Sequence, residues 1–174
     1  MVSSATRGRV ITAEAACKTR AGEIPFMDME AVIHKETDAG NAYFTVSWSA
    51  LTLADRFQIV RSVPSVAGIF ELYYMDKGKG LNLFQLGNAW YGGLRTWIRS
   101  ATDPSLATAA EKRRILTDFP CYYRYTASNS YRDILDVLFF LGETYFPKRK
   151  GRLHSGRYQN ILVNEITPDK LTWK

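Results

Sequence analysis

The stretch from Gly68 to Arg95 constrains the fold more than any other part of the sequence, because a hairpin pattern runs there directly into a helical one. Residues 68–75 are rich in β-branched and aromatic types, as strands are, and Pro64 breaks the chain ahead of them. Asp76, Lys77, Gly78, Lys79 and Gly80 then supply turn chemistry, with glycines for the positive-φ positions. Residues 81–87 alternate again, Leu81, Leu83 and Gln85 on one face against Asn82, Phe84 and Leu86 on the other. Past Gly92 and Gly93, the spacing of Leu94, Trp97, Ile98 and Ala101 predicts a helix that carries Arg95 and Arg99, one turn apart, on a different face.

In these residues the chain resembles the GIY-YIG nuclease superfamily. Gly68, Ile69 and Phe70 are similar to the first signature, Gln85, Leu86 and Gly87 to the second, and Arg95 falls where that family carries its catalytic helix arginine. Phe70 and Gln85 stand where the family has its two tyrosines, and the hairpin loop is longer than usual there. Glu143, late in a predicted helix, resembles the family's metal-binding glutamate, and Asn160 resembles its phosphate-contacting asparagine. The resemblance spans residues 64–160. It implies an α+β fold with a small, mainly antiparallel three-stranded sheet flanked by helices. On that division residues 63–174 form the domain, and residues 1–62 are an N-terminal extension packing on the same core. It also implies a nucleic acid partner, DNA ahead of RNA, and Mg²⁺ or Mn²⁺ at Glu143 if the protein is catalytic.

Phosphodiester hydrolysis needs a base for water, positive charge for the transition state and usually a carboxylate-held metal. Arg95 can supply the charge and Glu143 the ligand, but neither Phe70 nor Gln85 can take a proton. Tyr91, just ahead of the arginine helix, is the first candidate base, followed by Tyr73, Tyr74 and His154. A phenol with a pKa of ~10 needs a nearby cation to serve. Each residue also has a plainer reading: Arg95 as a solvated helix residue, Glu143 as a helix-end carboxylate or a partner for Arg95, Asn160 as a loop residue bonding its own surroundings.

The 174 residues, 46% of them hydrophobic, suffice for one good core. Residues 1–86 carry as many acidic as basic side chains, so the whole net charge of +6 lies in residues 87–174. Five of those cations, Lys148, Arg149, Lys150, Arg152 and Arg157, fall in one glycine-broken loop. With Arg99, Asn160 and the aromatics Trp90, Tyr91 and Tyr122 beside Arg124, they can follow a phosphate backbone, or else simply solvate the loop. A catalytically silent nuclease-like fold that serves as a protein-interaction module is the competing reading. Cys17 and Cys121 have no metal-ligand spacing, and no stretch approaches the ~20 apolar residues of a membrane span, so a reduced cytoplasmic chain is expected.

Elsewhere the sequence predicts a loosely docked segment over residues 1–20 and a strand or helical turn at 31–35. A strand with Phe44, Val46 and Trp48 on its apolar face should follow, then a short helix over 52–60. Asp103 and Pro104 suggest a cap for a helix over 106–116. Residues 119–126 alternate as a strand able to extend the hairpin. Ser130 caps a helix whose stripe runs from Ile134 to Tyr145, and residues 161–163 are a last strand candidate.

Overall fold

The computed structural model describes residues 11–12, 30–149, 151–169 and 172–173. Lys150, Cys17 and all of residues 1–20 but Ile11 and Thr12 lie outside these. The fold is α+β. In chain order its elements are β1 (Ile11–Thr12), β2 (Ile33–Asp38), β3 (Asn41–Ser47), β4 (Thr52–Leu53), α1 (Arg56–Ser62), β5 (Gly68–Met75), β6 (Gly80–Asn88) and α2 (Gly93–Ala101). A 3₁₀ turn (Pro104–Leu106), α3 (Ala110–Asp118), β7 (Cys121–Ala127), α4 (Tyr131–Tyr145), β8 (Asn160–Ile166) and β9 (Thr172–Trp173) complete it. Among the described residues no helix is long and apolar enough to cross a membrane.

The expected hairpin is the centre of the main sheet, whose order is β4-β7-β5-β6-β1-β9. β5 lies between β6 and β7 and runs antiparallel to both, so the three-stranded core is as the alternation predicts, widened by three two-residue strands. The tight-turn backbone is made differently from the expectation. The left-handed position is Lys79, φ 62°, while neither Gly78 nor Gly80 has positive φ. Asp76 holds that turn, its carboxylate accepting from the Gly80 amide at 2.8 Å and from the Asn82 side chain at 3.0 Å. Both signature glycines are instead required by packing. A Cβ on Gly87 would sit 2.5 Å from the Phe70 ring across the ladder, and one on Gly68 would sit 2.2 Å from the Thr126 carbonyl oxygen.

The pleat of β5 divides the core in two. Phe70 and Leu72 point to one face, where they pack with Tyr123, with Leu94 and Ile98 of α2, and with Ile59 of α1. Ile69 points to the other, where it meets Ile134, Val137 and Leu141 of α4 and Ala42, Phe44 and Val46 of β3. Burying both faces is what a near-continuous apolar strand demands, and six of the eight residues of β5 are buried. β3 belongs to a second sheet, β2-β3-β8, in which it pairs antiparallel with β2 and parallel with β8.

Two boundaries differ from the expectation. Thr52 and Leu53 pair with Tyr123 and Tyr122 as a strand rather than starting a helix, and α1 begins only after Asp55, whose carboxylate accepts from the Phe57 and Gln58 amides. Asp103 caps the 3₁₀ turn through the Ser105 amide, so α3 starts later, at Ala110. Of residues 31–35, expected as a strand or a turn of helix, 33–35 are in a strand, β2.

Candidate functional site

Phe70 and Gln85 lie on neighbouring antiparallel strands, and the register, Phe70 opposite Gly87 and Leu72 opposite Gln85, puts both on the face that α2 covers. Phe70 is 1% exposed, sealed under the helices rather than lining a groove. Arg95 is in the first turn of α2. Its Nε donates to the Val63 carbonyl at 2.8 Å, tying α2 to the end of α1. Two amides of its first turn are also taken, Leu94 N by the Val66 carbonyl and Arg95 N by the Pro64 carbonyl, so these two are not free for an anion.

Glu143 stands on α4, which packs on the opposite face of the sheet, so the sheet itself separates it from Arg95. Its side chain is 50% exposed and pairs with Arg152 at 3.1 Å. Asn160 opens β8 in the second sheet and donates to the Asn41 side chain at 2.8 Å. Arg95, Glu143 and Asn160 therefore do not converge. Among the described residues no group of three or more His, Cys, Asp or Glu side chains is placed to hold a metal ion. A single carboxylate already held by a guanidinium does not suit Mg²⁺ or Mn²⁺, which need several oxygen donors. The candidate bases are equally scattered. Tyr73 is buried and donates to Glu71, and burial raises its phenol well above the ordinary range. Tyr74 packs on Phe84 and Phe119, and His154 on Phe139. Tyr91 is 80% exposed.

The basic loop is largely occupied with its own fold. Arg157 reaches Asp133 at 2.6 Å and Asp136 at 2.7 Å, while Lys35 holds Asp133 from the second sheet at 3.0 Å. Ser155 adds an amide and a hydroxyl to Asp136. Arg152 lies across Gly142 and also donates to the Phe146 and Arg149 carbonyls. Only Lys148 and Arg149 remain exposed among its described cations, with Arg149 over the Phe146 ring. The sequence did hold a signal for this latch: Asp133 and Asp136 sit one turn apart beside the apolar positions Ile134 and Val137, where a carboxylate must find partners.

A second polar group, which sequence reasoning did not find, joins the two sheets. Arg124 of β7, fully buried, donates to Glu71 of β5 at 2.5 Å and to Glu165 of β8 at 3.2 Å, with its guanidinium 4.4 Å from the Trp48 ring. Trp48 and Tyr145 both donate to Glu165. Burial pushes the Glu71 carboxyl up, against the pull of Arg124, and Oε1 of Glu71 has no hydrogen-bond partner among the described residues. With Glu71 and Arg124 out of solvent, this group braces the structure.

The outer side of α1 and α2 is one surface open to a ligand. The two helices run past each other in opposite directions, since Arg95 at the start of α2 meets Val63 at the end of α1. At the other end, Arg56 of α1 and Arg99 of α2 both act on Asp103. Hydrogen bonds from Ser105 lower the Asp103 carboxyl first, and the two guanidiniums add to the effect. Arg56 and Arg61 lie on α1 with the exposed Phe57 ring, Arg95 and Arg99 lie on one side of α2, and the exposed Trp97 ring, bonded to the Tyr91 carbonyl, lies on its other side. Neither helix carries an acidic residue. Beside the α1–α2 connection opens a cleft of about 840 Å³ between Pro64, Val66, Trp90 and Tyr125, with His34 and Asn129 also lining it.

The chain belongs to the family described as "Uncharacterised protein", whose model matches residues 32–174. No curated protein and no solved structure matches it.

Proposed function

We propose that this protein binds nucleic acid through the outer surface of α1 and α2. One observation carries the reading: two short antiparallel helices without an acidic residue bring four arginines, Arg56, Arg61, Arg95 and Arg99, into one helix pair, with the exposed Phe57 ring beside Arg61 on α1. Guanidiniums replace the counterions of a phosphate backbone, and rings offer stacking faces. This is the partner class the GIY-YIG resemblance implies, reached from a different set of residues than the basic loop. The arrangement gives no support to phosphodiester hydrolysis, because the arginine, glutamate and candidate bases stand apart. With Cys121 held as a free, buried thiol, a reducing compartment such as the cytoplasm belongs to the same reading.

The test is a fluorescence-anisotropy titration of a labelled oligonucleotide at several salt concentrations. Wild-type affinity should fall with salt, and Arg56→Gln, Arg61→Gln and Arg99→Gln together should weaken it and reduce the salt slope by about one for each phosphate no longer neutralised. Lys148→Gln with Arg149→Gln is the comparison set. If only that pair weakens binding, the loop is the interface and the helix surface is not. Absence of binding at low salt would favour the protein-interaction reading.

A further inference from the structure

Independently of what α1 and α2 bind, we propose that the open edge of β8 pairs with the same strand of a second copy of this chain, antiparallel, so that two small sheets join into one. Among the described residues β8 pairs with β3 alone, along all seven of its residues. The carbonyl of Ile166 accepts from the Trp48 amide on the β3 side. Successive residues of a strand turn their backbone groups to opposite sides, so Leu162, Asn164 and Ile166 serve β3. The N–H and C=O groups of Ile161, Val163 and Glu165 then point out along the open edge, where none of them has a partner among the described residues.

Edge strands are ordinarily protected by charge, proline or brevity. β2, the other edge of this sheet, follows that rule: five of its six residues are exposed, Lys35, Glu36 and Asp38 among them. β8 does not. Residues 160–166 contain no lysine, arginine or proline, and their one charged side chain, Glu165, turns inward to Arg124. On the outer face Leu162 is 45% exposed and Ile166 36%. Ile161 and Val163 pack on the core shared by α4 and β3, yet both stay only half-buried. The core is therefore open along this edge, and a further strand would close it.

The strand that fits is its own copy, because β8 is complementary to itself. Turned antiparallel about Val163, Ile161 faces the partner's Glu165, Val163 the partner's Val163 and Glu165 the partner's Ile161, and each such pair exchanges two backbone bonds, roughly six in all. On the outer face Leu162 meets the partner's Asn164, and Ile166 the partner's Asn160. Charge favours the same place. The chain carries a net charge of +6, so two copies repel in general, but β8 brings no cation to the seam and its carboxylate is already paired. The joined sheet ends on each side in the charged strand β2, which stops growth at the dimer.

An interface of one strand edge is small, so sedimentation velocity of the full chain from about 1 µM to 1 mM should show monomer passing to dimer. Leu162→Lys with Asn164→Lys sets lysines directly opposite each other across the seam and should weaken the dimer at least about tenfold. Both side chains are exposed in the single chain, and a thermal melt of the variant verifies its folding. Val163→Cys in a Cys17→Ser background tests the register. Antiparallel pairing about Val163 holds the two Cα atoms about 5.5 Å apart, within disulfide reach, so mild oxidation should give a covalent dimer, while His34→Cys on β2 should not. In hydrogen–deuterium exchange the amides of Ile161, Val163 and Glu165 should exchange fast in dilute protein and slowly in concentrated protein. A chain that stays monomeric throughout, a dimer that the lysines leave intact, or no cross-link at position 163 would overturn the proposal. So would protection of these amides in dilute protein, which would mean that the chain covers its own edge.

Discussion

Arg124 carries an obligation that few residues do, since its buried guanidinium is shared by carboxylates from two different sheets, the wholly buried Glu71 and the partly exposed Glu165. Removing Arg124 leaves the buried Glu71 without its countercharge, held by Tyr73 alone, and a buried charge left so costs about 3–5 kcal/mol. Arg124→Met should lower stability by that order in urea unfolding, and Glu71→Leu added to it should restore much of the loss. A loss below ~1 kcal/mol for the single variant would mean that the network does not brace the sheets. None of this was visible in the chain, because Glu71 and Arg124 are 53 residues apart and each reads as an ordinary polar position in an alternating strand. The signature glycines were legible, although their physical reason is the Phe70 ring and the Thr126 carbonyl rather than a ligand.

At the scale of elements, hairpin, arginine helix, β7 and α4 follow from period and turn chemistry. The misplaced starts of α1 and α3 share one cause. Asp55 and Asp103 each cap the first available turn, and sequence does not say whether that turn grows into a helix or stops as 3₁₀. The loop after α4 reads as free cationic chain until Asp133 and Asp136 are seen to hold it. Burial pushes the Asp133 carboxyl up, but hydrogen bonds from Arg157, Lys35 and Ser130 outweigh that and leave it below the ordinary range. A carboxyl depressed on folding stabilises at pH above its unfolded value, about 3.9, and that contribution is lost as pH falls through the lower folded value. Stability should therefore drop below about pH 4, and Asp133→Asn should shrink the drop when melting temperature is followed from about pH 7 to 3. An unchanged acid profile in Asp133→Asn would show that the latch contributes nothing.

For the molecule as a whole, the α+β class was legible and the layering was not. Whether α2 and α4 cover the same face of a sheet depends on which of two alternating apolar sets each helix finds, and in β5 both sets, Ile69 and Phe70, are equally apolar. That single choice separates Arg95 from Glu143. The second sheet was beyond reach for another reason: its strands come from opposite ends of the chain, and only packing brings β3 and β8 together. Ending the chain at Gln159 removes β8 and with it Glu165, so the truncated protein should lose its cooperative thermal transition in circular dichroism. A sharp transition near the wild-type temperature would show that β8 is an accessory strand.

The parallel pairing of β3 with β8 also sets a schedule for synthesis. Asn41 must wait for a partner 119 residues further along, which at a ribosomal pace of about 5–20 residues per second is roughly 6 to 24 s. During that interval the nascent chain holds Phe44 and Val46 on a strand with one edge unpaired, the form most open to pairing with another copy. The last part of the message thus governs how long the first part stays vulnerable, and a translational pause ahead of codon 160 would lengthen that exposure.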